Sequence, residues 1–243
     1  MTMTTTTTTR DRYKGRTPAL VEIDTRPYVA KGTKDDLRHH HEIFEDRMMK
    51  IRWQCDRSVA RGKEIKARED ALSALKKWLD DAKHFYSRYH PTRFQALYMA
   101  AIHAFKLNKV KTGTDFVREC DEIYASMYPS HWPWGRINMI TLRELALCVL
   151  SGDENIEEAQ RCAKTRNTLM RTYEKRSEVV DGGTERNAEL LSLMRSLLKL
   201  AQERKVEVNE ELIQHITNSE KIALEFEKLR KLRKKQQDEG DDA

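Results

Sequence analysis

From residue 33 to residue 232, apolar side chains recur three and four positions apart. That spacing places them on one side of an α-helix and leaves the other side to charge. The first stripe runs through Leu37, Phe44, Met48, Ile51, Cys55, Val59, Ile65, Leu72, Leu75 and Leu79. It predicts one long helix from Thr33, with Asp36 placed for a capping box, almost to Pro91. Gly62 is its weak point, where the helix bends or splits.

Pro91 suits the first turn of the next helix, since its missing N–H would be unpaired there anyway. Phe94, Leu97, Tyr98, Ala101, Ile102 and Phe105 give that helix a broad apolar face. Thr112-Gly113-Thr114 then reads as a break, with Thr114 capping a helix through Phe116, Val117, Cys120, Ile123, Tyr124 and Met127. The segment Ser130-His131-Trp132-Pro133-Trp134-Gly135 reads as a loop. Thr141 and Glu144 have capping-box spacing for a short helix Leu142–Leu150 that stops at Gly152. A further helix through Ile156, Ala159, Ala163, Met170, Tyr173 and Val180 ends at Gly182-Gly183. Thr184 and Asn209 cap two final amphipathic helices, the first through Leu190–Ala201 and the second through Leu212–Leu229. Joined by a short turn, they read as an antiparallel hairpin. The expected fold is therefore all-α, a bundle of long amphipathic helices. It divides into a basic arm (1–32), a helical core (33–180), the C-terminal hairpin (181–236) and an acidic tail (237–243).

Composition narrows the function. The 243 residues carry a formal charge of +6, 35% of them are charged and 39% hydrophobic, with a pI of about 9.0 and a mean hydropathy of -0.78. A basic, heavily charged surface favours a polyanion partner and a narrow core. Cys55, Cys120, Cys148 and Cys162 are widely spaced and fall on apolar faces, the pattern of free thiols in a reducing, cytoplasmic or nuclear setting. No apolar run reaches the length that a membrane helix needs.

Candidate chemistry is sparse. His39-His40-His41 cannot converge on one metal from a helix, because successive residues point about 100° apart. Asp115, Glu119 and Glu122 share a helical face, but the apolar residues opposite mark that face as the solvated one. A nuclease reading is accordingly weak, and no cofactor or metal is expected. Residues 154–176 can be threaded on a helix-turn-helix, with Arg166, Asn167, Thr168 and Arg171 toward a major groove. Lys164 stands where that template wants an apolar residue, and one continuous helix explains the periodicity better.

Binding features are richer. Arg10, Arg12, Lys14 and Arg16 surround Tyr13 in the arm, while Lys231, Arg233, Lys234 and Lys235 crowd the end of the last helix. Both sets suit a phosphate backbone. Trp132 and Trp134, flanking Pro133, form a stiff aromatic corner that stacks on unpaired bases or else closes one end of the core. The leading expectation is a non-catalytic, self-associating helical protein that binds RNA or DNA without sequence preference. A coiled-coil adaptor with a helical protein partner is second, and a helix-turn-helix regulator third. Self-association is expected because the stripes on the last two helices look broader than one hairpin partner can cover.

Overall fold

The computed structural model describes the backbone of residues 34–84, 86–127, 133–174 and 184–221, with Leu224 and Lys228. Side chains are described from residue 42 onward within these spans, except 127, 133–135, 172–174 and 184–188. The described residues form helices and no strand. In order these are α1 (Lys34–Ala60), α2 (Glu64–Ala82), α3 (Pro91–Lys106), α4 (Val110–Met127), α5 (Pro133–Leu150), α6 (Asp153–Glu174) and α7 (Thr184–Glu203). An eighth helix, α8, covers 210–221. Each helix from α1 to α5 packs on the next, and α7 lies on α5.

The expected long first helix is two helices. Gly62 adopts φ +76°, a left-handed conformation that ends α1, and the chain doubles back. Phe44 and Trp78 now face each other. The Trp78 Nε1–H donates to the Phe44 carbonyl at 2.9 Å, and the two rings meet edge to face at 5.5 Å. Arg47 donates to Asp81 at 2.8 Å across the same interface. Trp78 is 0% exposed although it lies off the apolar stripe of the sequence. Ile65, on that stripe, is 72% exposed because it falls in the first turn of α2, beside the tight turn that closes the hairpin.

Two further boundaries differ from expectation. Thr112-Gly113-Thr114 lies inside α4, where the Thr114 hydroxyl donates to the Val110 carbonyl at 2.8 Å. The break comes earlier, at Asn108 (φ +57°), with the Lys109 N–H returning to the Ala104 carbonyl at 2.9 Å. That is a Schellman-type helix end, which Asn tolerates better than most residues. Gly113 is small because the Phe105 ring would sit 2.8 Å from a Cβ there. Likewise α5 starts at Pro133, so Thr141 and Glu144 are interior positions and no capping box forms. The Thr141 hydroxyl instead donates to the Ile137 carbonyl at 2.8 Å.

Other starts and stops follow the sequence. Pro91 occupies the first turn of α3, and the ring of His90, just before it, accepts from the Thr92 N–H at 3.2 Å. Ser151 and Gly152, both left-handed, separate α5 from α6. Asn209 caps α8 by accepting the Glu211 N–H at 2.8 Å. Arg195 on α7 pairs with Glu220 on α8, as an antiparallel hairpin requires.

One main core takes side chains from α1 through α5 and from both hairpin helices, including Leu75, Trp78, Leu97, Ile123, Leu142, Leu145, Met194 and Leu212. The Leu190–Ala201 stripe is thus covered within the chain, where α5 packs on α7 and the same core takes in Leu212 and Ile216. The breadth of that stripe therefore does not by itself require a second copy. A smaller cluster, Ile140, Leu147, Ala159 and Cys162, seals α5 against α6.

Candidate nucleic-acid interface

The residues expected to hold nucleic acid lie outside the described side chains. Arg10, Arg12, Lys14, Arg16, Trp132, Lys231, Arg233, Lys234 and Lys235 all fall outside the described residues. Trp134 is placed within α5, in its first turn and not in a loop, but its side chain is among those not described.

The other candidates can be located. α6 runs without a turn from Asp153 to Glu174, so the helix-turn-helix threading does not hold over this span. Arg166, assigned there to a groove, is buried and bound to Glu144. Asp115 pairs with Arg118 at 3.2 Å, Glu122 pairs with Arg88, and Glu119 acts on the buried Arg93 of α3. These three carboxylates therefore answer separate cations. No group of three His, Cys, Asp or Glu side chains among the described residues is placed to hold a metal ion. His39, His40 and His41 lie in successive positions of α1. Cys55, Cys120 and Cys162 are buried free thiols, and burial pushes each of them up from its ordinary value. Such thiols are unreactive at neutral pH.

The described surface also holds a cationic stretch outside those candidates, along the second half of α1 and the turn into α2. Residues 50–66 contain six cations, Lys50, Arg52, Arg57, Arg61, Lys63 and Lys66, against two carboxylates, Asp56 and Glu64. Both carboxylates are engaged, Asp56 with Arg52 at 3.9 Å and Glu64 with Arg68 at 2.8 Å. The other five cations have no ion pair among the described residues.

Helical geometry explains why these charges gather. Met48, Ile51, Cys55 and Val59 turn one face of α1 toward α2 and the core. Lys50, Trp53 and Arg57 fall within about 60° of arc on the opposite face, and Arg61 continues the row into the turn. Asp46, one turn before Lys50, is the acid on the same face. Trp53 is 58% exposed, and the Arg57 guanidinium lies over its ring, 5.0 Å from the centroid. Arg68 meets His103 of α3 at 3.5 Å, and Lys109 reaches Glu69 at 3.7 Å. These contacts bring the turn after α3, with Lys106 and Lys111 beside it, to the same end of the bundle.

The chain matches no family model, no curated protein and no solved structure.

No helix among the described residues is long and apolar enough to cross a membrane. The spacing of Lys50, Trp53, Arg57 and Arg61 is visible in the sequence. By itself it carries no signal, because charges opposite an apolar stripe ordinarily mean a solvated face. Only the pairing pattern shows which of them are left over.

Proposed function

We propose that this protein binds RNA or DNA without sequence preference, through phosphate contacts, and performs no catalysis. The observation that carries the reading is the row of cations at Lys50, Arg57, Arg61, Lys63 and Lys66, along the second half of α1 and the turn into α2, that have no ion pair among the described residues. Clustered cations with no internal partner keep their charge available to a polyanion, and each phosphate neutralised releases condensed counterions. The basic arm (Arg10 to Arg16) and the segment Lys231–Lys235 would add contacts of the same kind. The work of such a protein lies inside the cell, where its thiols stay reduced.

Self-association belongs to the same reading, now at α8. Ile213 of α8 and Leu224, three residues past its described span, are both exposed, and a spacing of eleven residues matches one side of a helix. A second copy or another helical protein would cover them.

The test is binding of a labelled oligonucleotide of arbitrary sequence across a salt series. The reading expects affinity that falls steeply with salt and does not depend on sequence. Absence of binding at low salt, where attraction is strongest, overturns it.

A further inference from the structure

We propose that Trp53 is a base-stacking platform, so that the α1 surface takes single-stranded nucleic acid in preference to duplex. The inference rests on the phosphate-binding reading above and adds a partner class to it.

The contrast between two tryptophans in one hairpin carries the argument. Trp78 is fully enclosed, bonded through its indole N–H and packed between Phe44 and Tyr86. Trp53 does none of this. It stands on the face of α1 that points away from the core, and more than half of it meets solvent. Its described ring contact is the guanidinium of Arg57, one turn on. A cation over one face of an indole restrains the ring at little cost to its exposure. Lys50 and Arg57 flank it on the same face, and Arg61, Lys63 and Lys66 follow at the turn.

An aromatic ring set among unpaired cations is what a single strand requires. The cations follow the backbone, and the ring receives a base that is free to unstack. In a duplex the bases are already stacked and paired, so the ring has nothing to receive while the phosphates remain available. The charge complements a polyanion more closely than it does the flat apolar face of another helix.

The experiment compares a labelled oligouridine with an RNA duplex of the same length, using the full-length protein. Trp53→Ala is expected to weaken single-strand binding about 10-fold and leave its salt slope unchanged. Duplex binding should stay as in wild type, and Trp53→Phe should restore most of the loss. Replacing Arg61, Lys63 and Lys66 by Gln should lower binding to both and flatten the single-strand slope by about 0.7 for each phosphate no longer neutralised. Because Trp53 is exposed, thermal melting should show the variant folded. Equal losses on single strand and duplex, or none on either, overturn the stacking proposal and leave the phosphate reading intact. Failure of wild type to bind either nucleic acid at low salt overturns both.

Discussion

Arg166 on α6 donates from Nε to Oε2 of Glu144 on α5 at 2.9 Å, with the two side chains 2% and 4% exposed. A second bond, from Nη2 to Oε1, measures 3.4 Å. Burial pushes the Glu144 carboxyl up from its ordinary value, against the opposing pull of Arg166. The pair is therefore a strong constraint on how α5 meets α6, and a poor source of net stability.

Replacing one partner alone should be severe. Glu144→Leu leaves a buried guanidinium without its counter-charge and should cost about 3–5 kcal/mol. Glu144→Leu with Arg166→Met should recover most of that loss. Urea denaturation followed by helical circular dichroism checks both, and a double variant no better than the single one contradicts the account.

Acid should weaken the fold through two histidines. Burial, helped by Arg68, lowers His103 to about 4; burial and then Arg166 lower His215 to about 4. Asp56 opposes the shift at His103, and Lys106 adds to it. A group lowered in the folded state takes up protons more readily when unfolded. Its stabilisation is thus complete above about pH 6.5 and is lost as pH falls toward 4. Between pH 7 and pH 5 the loss should be about 2 kcal/mol for each histidine. Glu144, being raised, acts in the opposite sense, so the histidine share is read from the difference between wild type and His215→Gln. A variant with the same acid sensitivity as wild type would remove His215 from the explanation.

Gly113→Ala should destabilise even though Ala favours helix by about 1 kcal/mol. The added Cβ meets the buried Phe105 ring at 2.8 Å, and overpacking of this kind costs about 1–3 kcal/mol. Combining it with Phe105→Leu should relieve part of the strain. A rise in melting temperature for Gly113→Ala alone would mean that the ring moves freely aside.

The arm can be tested apart from the α1 surface. Replacing Arg10, Arg12, Lys14 and Arg16 together by Ala should reduce the single-strand salt slope by roughly 2 to 3 if all four engage phosphates. The same treatment of Lys231, Arg233, Lys234 and Lys235 should act similarly. An unchanged slope in both would assign the phosphate contacts to the 50–66 segment alone.

Light scattering across a concentration series should give a mass above the 28.6 kDa monomer. Ile213→Lys with Leu224→Lys should return it to monomer. A wild-type monomer throughout would leave α8 without a role in assembly.

The all-α class could be read directly from the sequence, because apolar spacing at three and four residues is a local property that any helical packing must satisfy. Pro91 and Asn209 marked helix starts for the same reason: a fixed φ and a side-chain acceptor act on their own backbone. The tertiary structure decided matters that depend on distant neighbours. Gly62 could bend a helix or end it, and the burial of Trp78 against Phe44 goes with ending it. Thr112-Gly113-Thr114 looks like a break, but Gly113 answers the ring of Phe105 and the helix continues. Thr141 and Glu144 have the spacing of a cap, yet Glu144 is held in the interior by Arg166, 22 residues away in the chain. The cations of the 50–66 segment that lack an ion pair among the described residues were hidden in the same way. Charge can be counted from sequence, but which charges find partners depends on which helices lie side by side.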